Sequence, residues 1–180
     1  MITNIDFNIL YLIQNIRNPF LDKFFVVITS IPGNYGQMWV VLGIILLIFK
    51  KTRKCGLTII LSYLLVYGLG QYVLKDLIAR PRPCHIDQTI ELLIKRPSSF
   101  SCPSTHSGWA FAGATSIFLY NKKFGIPVII FSLLVAFSRL YLFVHFPSDV
   151  LFGVAIGILF AILSKYIITI VWKKFSNKNN

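Results

Sequence analysis

Apolar residues in the first seventeen positions recur at Ile2, Ile5, Ile9, Leu12, Ile13 and Ile16, with Asn4, Asn8, Gln14 and Asn15 mostly between them. That spacing predicts an amphipathic helix that lies on a membrane rather than crossing it. Asn18-Pro19 ends it. Residues 20–31 are apolar but short against the roughly 20 residues a bilayer requires. Pro32-Gly33-Asn34 breaks the chain after them, so they are read as a second interfacial or partly inserted helix. Beyond this point the pattern changes to runs that are apolar all round: residues 35–49, 56–74, 107–120, 125–144 and 150–172, with Arg139 the only charge inside the fourth. These predict an all-α integral membrane protein, a bundle of about five transmembrane helices preceded by one or two interfacial amphipathic helices. A single domain covers residues 1–180, with the interfacial part at 1–33, the transmembrane core at 35–172 and a basic cytoplasmic tail at 173–180.

Composition agrees. Of 180 residues 56% are hydrophobic, the mean hydropathy is +0.71 and only 13% are charged, about half the share usual in soluble domains. Residues 1–17 lack the basic leader and cleavage site of a signal peptide. The net charge of +12 does not point to nucleic acid, because the basic residues form short clusters between apolar runs instead of a solvated stripe. Placing residues 50–54, 122–123 and 173–174 in the cytoplasm satisfies the positive-inside rule. Loop 75–106 and segment 145–149 then face outward. That loop nevertheless carries Lys75, Arg80, Arg82, Lys95 and Arg96, so its charges need another reason. Gly153, Gly157 and Ala161 form a small-xxx-small face, which predicts close helix packing.

Ser138, Arg139, His145 and Asp149 stand at the far end of an apolar run. Ionisable groups there are costly and mark a functional site by default. Lys75, Arg82 and Arg139 supply three fixed positive charges, the arginines as rigid donor forks suited to phosphate oxygens. Pro103-Ser104-Thr105-His106 opens a helix whose free N–H groups favour an anion. Of two histidines, one can attack or accept a proton and the other can donate one. Asp149, four residues after His145, can hold Nδ1–H and leave Nε2 free, with Pro147 in the first turn of the last helix. No Cys or His pair has zinc spacing. His85 is read as a loop residue. Arg80, Lys95 and Arg96 either steer anionic headgroups or are simply solvated. Cys55 falls on the cytoplasmic side. Cys84 and Cys102 share the outward, oxidising loop; they are read either as two free thiols or as a disulfide that would tie Arg82 to His106 and contribute about 3 kcal/mol.

In order and spacing, Lys75 with Arg82-Pro83, Pro103-Ser104-Thr105-His106, and Ser138-Arg139 with His145 and Asp149 resemble the three signatures of the type-2 phosphatidic acid phosphatase superfamily. Thr105 stands where the family usually has glycine. The resemblance implies a lipid phosphatase that needs no metal or other cofactor. His145 would form a phosphohistidine, Asp149 would orient it, and His106 would protonate the leaving oxygen and then activate water. Lys75, Arg82, Ser104, Thr105 and Arg139 would bind phosphate. It further implies a small multi-pass enzyme of a bacterial cytoplasmic membrane, acting on a lipid in the bilayer with its site outward. Undecaprenyl diphosphate is the leading substrate, ahead of phosphatidylglycerophosphate, phosphatidic acid and lipid A 1-phosphate. A lipid phosphotransferase and a non-catalytic lipid-phosphate binder or transporter are the alternatives. Vanadium haloperoxidases share the constellation but are soluble proteins.

Overall fold

The computed structural model describes residues 2–176. Helix α1 (Ile2–Gln14) is followed by α2 (Pro19–Ser30), whose start is set by Asn18: its side chain accepts from the Phe20 and Leu21 N–H groups, with Pro19 in the first turn, where a missing N–H costs nothing. Helix α3 (Gln37–Ile48) leads to α4 (Arg53–Leu65), which runs without a break into a π-helical segment (Val66–Leu74) and then α5 (Lys75–Ile78). A short α6 (Pro83–Ile86) and an irregular stretch precede α7 (Thr105–Tyr120). Asn121 caps α8 (Lys122–Tyr141), and α9 (Pro147–Ser176) begins at the proline, as its sequence predicts.

Three helical stretches are long and apolar enough to cross a membrane: Arg53–Ile86, Lys122–Tyr141 and Pro147–Lys174. The other two helices expected to span are shorter, at 12 residues for α3 and 16 for α7. At 1.5 Å per residue they reach only about 18 and 24 Å of a ~30 Å core. The reason is plain for α7. Ten of its residues are buried, and it packs against α3, α4, the π-helical segment, α8 and α9. It is the axis of the bundle and is solvated by protein.

Small residues permit that central position. A Cβ on Gly153 would meet the Ser104 carbonyl oxygen at 2.3 Å, and one on Gly157 would meet that of Gly108 at 2.4 Å. The small-residue face of α9 therefore packs directly on the α7 backbone, as expected. A Cβ on Gly113 would lie 2.0 Å from the Trp39 ring, so α3 closes on α7 in the same way. Gly153→Ala must push α7 or α9 away at the turn that carries Ser104. A loss of about 1–3 kcal/mol is expected, read as a lowered unfolding temperature in detergent.

The amphipathic pattern of α1 is oriented inside-out. Ile5, Ile9 and Leu12 are exposed, whereas Asp6 and Leu10 are buried where α1 packs on α8 and α9. At the opposite end of the bundle, Lys54 lies over the Trp172 ring and Lys165 donates to the Leu119 carbonyl, so the starts of α4 and the ends of α7 and α9 meet there.

Candidate active site

The site lies where α5, α7 and α8 end or begin. Ala79, with φ +47°, turns the chain sharply after α5, and its N–H bonds back to the Lys75 carbonyl at 2.8 Å. Lys75 is thereby held at the last turn of the long helix and Arg82 is folded back beside it. Arg139 comes from the last turn of α8, His106 from the first turn of α7, and His145 from the turn before α9. Lys75, Arg82, Thr105, His106 and Arg139 line one cavity of about 680 Å³, with Gln71, Trp109, Lys95, Arg96 and Ser99 around it and Val26, Thr29 and Ser30 of α2 forming a wall. Among the described residues no group of three or more His, Cys, Asp or Glu gathers as a metal site. What converges is positive charge, an arrangement for an anion.

Arg82 is buried and its five donors are all engaged. Nε donates to the Ser99 carbonyl at 2.7 Å, and Nη2 to Ser99 Oγ at 3.0 Å and the Phe100 carbonyl at 3.1 Å. Nη1 donates to the Val144 carbonyl at 2.7 Å and lies 3.0 Å from His145 Nε2. A guanidinium cannot accept, so Nε2 is the acceptor and Nδ1 carries the proton. The Nε2 lone pair of His145 thus faces the cations and is held by Arg82. Ser99 Oγ also lies 3.4 Å from Lys75 Nζ. It sits between two cations, where a phosphate oxygen would be received.

Arg139 differs. Its Nη1 donates to Thr29 Oγ1 on α2, while its Nε has no partner although buried. Asp149 Oδ2 stands 3.7 Å from His145 Nδ1, beyond hydrogen-bond reach. It accepts instead from the Phe146 N–H at 2.9 Å and from Ser101 Oγ, while Oδ1 receives Arg80 Nη1 at 2.7 Å. The expected Asp149–His145 bond is therefore a juxtaposition in this structure. Ser104 is buried and its Oγ pairs with Ser107 Oγ at 2.9 Å. Its side chain is not among those lining the cavity. The Thr105 departure has a partner: Oγ1 donates to Gln71 Oε1 at 3.1 Å, and Gln71 comes from the π-helical segment, an irregularity that recurs at functional sites.

Several residues were not legible as part of the site. Arg80 is neither solvated nor a steering charge; it is paired with Asp149 and with Asp6 of α1. Its two-residue spacing from Arg82 was the available signal. Thr29, Gln71, Ser99 and Ser101 carried none, because they reach the site only through tertiary packing. The disulfide alternative is not formed: Cys55, Cys84 and Cys102 are free thiols. Cys84 is buried in an apolar cluster with Leu142, Phe143, Val144 and Phe146.

Fold and site together define a helical membrane protein built around a cavity lined by cations and a histidine. The chain belongs to the PAP2 superfamily, whose sequence profile matches residues 55–173. It is 36% identical over 135 residues to an undecaprenyl-diphosphatase of Sulfolobus acidocaldarius, covering 73% of this chain and 65% of that protein. The chain thus spans just under two thirds of that relative's length. Among solved structures it is similar to a PAP2-type phosphatidylglycerolphosphate phosphatase of Bacillus subtilis, with a TM-score of 0.73, 31% identity, and coverage of 92% of this chain and 85% of that one. It is likewise similar to Aquifex aeolicus LpxE, with a TM-score of 0.71, 32% identity, and coverage of 88% and 93%.

Proposed function

We propose that this protein is a metal-independent lipid phosphatase that hydrolyses a lipid phosphate or diphosphate through a phosphohistidine, with undecaprenyl diphosphate as its first substrate. The observation that carries this is the convergence of Lys75, Arg82, Arg139 and His106 on one cavity, with His145 Nε2 directly behind Arg82. Membership of the superfamily supports it, as do relatives named as phosphatases.

The substrate phosphate replaces Ser99 Oγ as acceptor for Lys75 and Arg82, and draws Arg82 Nη1 off His145 Nε2. The lone pair so released attacks phosphorus. The bond from that phosphorus to the leaving oxygen breaks (the bridging oxygen of a diphosphate, which departs as the lipid monophosphate, or the lipid hydroxyl oxygen of a monophosphate), and a protonated His106 gives that oxygen its proton. The imidazole of His145, now N-phosphorylated, is cationic, and Asp149 stabilises it across the short gap to Nδ1. Arg139, with its unsatisfied Nε, and Lys75 hold the charge that develops on the phosphoryl oxygens. Water then attacks phosphorus while His106 takes its proton. The P–N bond breaks, inorganic phosphate leaves and His145 regains its lone pair.

The helix ends that carry Lys54 and Lys165 meet at the far end of the bundle from the site, and the positive-inside tendency of those basic ends supports a cavity at the outer face of the cytoplasmic membrane. The exposed apolar face of α1 supports an interfacial seat for residues 1–33. Lys95 and Arg96 on the cavity wall add charge for a second phosphate, and the name of the Sulfolobus relative points to the same substrate. Phosphate release in detergent from undecaprenyl diphosphate, phosphatidylglycerophosphate, phosphatidic acid and lipid A 1-phosphate tests this. The expected result is the highest kcat/KM on undecaprenyl diphosphate, inhibition by orthovanadate and indifference to EDTA. Loss of activity in EDTA would overturn the metal-free mechanism, and a higher kcat/KM on another lipid would replace the substrate.

A further inference from the structure

Asp6 is a carboxylate on α1, outside the residues the family profile covers, and it is 3% exposed. A buried charge of this kind is retained only when paired and hydrogen-bonded. Its Oδ2 accepts from Arg80 Nη2 at 2.7 Å and from Ser148 Oγ at 2.5 Å, and its Oδ1 from the Ser148 N–H at 3.1 Å. The same guanidinium donates through Nη1 to Asp149 Oδ1 at 2.7 Å and lies over the Phe146 ring, 4.0 Å from its centre. One guanidinium is therefore shared by two buried carboxylates, one from the N-terminal helix and one beside His145.

We propose that Asp6 is a positioning residue for the reaction, acting through Arg80 and Ser148 on Asp149; the inference rests on the phosphatase reading above. Two carboxylates on one cation leave the group with a net negative charge. Arg80 is held back from neutralising Asp149, whose charge stays available to His145 Nδ1. By gripping the backbone and hydroxyl of Ser148, Asp6 also pins the first turn of α9 from which Asp149 projects. Without the Asp6 charge, Arg80 pairs with Asp149 alone, and the imidazolium that forms when His145 attacks phosphorus loses its counter-charge. Asp6 bonds to Arg80 and Ser148 and to none of Lys75, Arg82 or Arg139, so its effect is expected on the chemical step and not on phosphate binding.

The test uses the full chain in detergent and the lipid of the panel that turns over fastest. Asp6→Asn keeps the size of the side chain and removes its charge. It is expected to lower kcat about 10- to 100-fold, the range seen when a supporting partner of a reactive group is removed, with KM within about twofold. Asp6→Glu, which keeps the charge, retains most of kcat. Adding Arg80→Gln to Asp6→Asn removes the surplus cation and recovers part of the loss. A readout independent of turnover compares two anions by thermal shift. Orthovanadate, which bonds to the nucleophile, is bound at least about tenfold more weakly by Asp6→Asn, whereas inorganic phosphate, which does not, is bound within about twofold of wild type. An Asp6→Asn protein that keeps wild-type kcat and vanadate affinity overturns the proposal. So does one in which kcat, phosphate binding and the unfolding transition fall together in the Asn and Glu variants alike, since that marks a merely structural role. A wild type that releases no phosphate from any lipid sinks the functional reading, while the contrast between vanadate and phosphate still decides the role of Asp6.

Discussion

Replacing His145 by alanine is expected to reduce phosphate release by about 10⁴-fold or more, the scale seen when a covalent nucleophile is removed. His145 is 1% exposed, and among the described residues its Nε2 and the Val144 carbonyl are the acceptors that Arg82 Nη1 finds. The variant should therefore still bind inorganic phosphate, through an Arg82 with one donor free, while forming no acid-labile phosphoprotein. Rapid quench into alkaline denaturant with a ³²P-labelled substrate, followed by loss of the label on acidification, measures the second quantity directly. A variant that still accumulates phosphoprotein would transfer the nucleophile to another residue. Burial first, and then Arg82, Arg139 and Lys75, disfavour the imidazolium and hold the His145 pKa well below the usual range. The resting His145 imidazole is thus neutral at physiological pH, the form a nucleophile requires. Because the folded value lies below the unfolded one, the fold loses stability from this group as pH falls through roughly 6.5 and below, and loses none above it.

Arg139→Met carries the second large effect, with opposite signs for activity and stability. Arg139 is 4% exposed, its Nε is unsatisfied, its one side-chain bond is to a neutral hydroxyl on Thr29, and among the described residues it has no carboxylate partner. A buried charge without a counter-charge destabilises the empty protein, and an apolar side chain of similar volume removes that cost. The same charge is what the developing phosphoryl oxygens require, and losing one preorganised donor of this kind costs about 10²- to 10³-fold in kcat. Arg139→Met is therefore expected to melt at a higher temperature than wild type in the absence of anions, and to show little of the stabilisation that inorganic phosphate gives wild type. Calorimetry or a fluorescence melt with and without phosphate checks both. A variant that is less stable than wild type without phosphate would mean that Arg139 serves the fold and not the anion.

These effects explain why so much of the site could be read from the chain. Lys75, Arg82, His106, Arg139, His145 and Asp149 are ionisable groups at the ends of apolar runs, where only an anion or a reaction accounts for them. Arg80 met the same description and could not be assigned, because its partner Asp6 lies 74 residues earlier on a helix whose periodicity spoke only for its apolar face. Proximity in sequence misled at Cys84 and Cys102, which share a loop yet are free, since Cys84 is held by Leu142, Phe143, Val144 and Phe146. It also overstated the Asp149–His145 contact, because four residues bring the groups near but the hydrogen bonds from Ser101, Phe146 and Arg80 decide where the carboxylate points.

The sequence by itself determined the helices, their order, and the cations and histidines that meet at one end of the bundle. Hydrophobic periodicity and the expense of charge in an apolar setting are local properties that each segment carries with it. Only the tertiary structure decided that α7 is a protein-encased axis, that Ser99 occupies the place between Lys75 and Arg82, and that the N-terminal helix reaches Asp149 through Asp6 and Arg80. Those arrangements depend on which side chains satisfy which buried donors. That pairing is settled by the packing of segments far apart in the chain, because every buried polar group must find a partner wherever the fold supplies one.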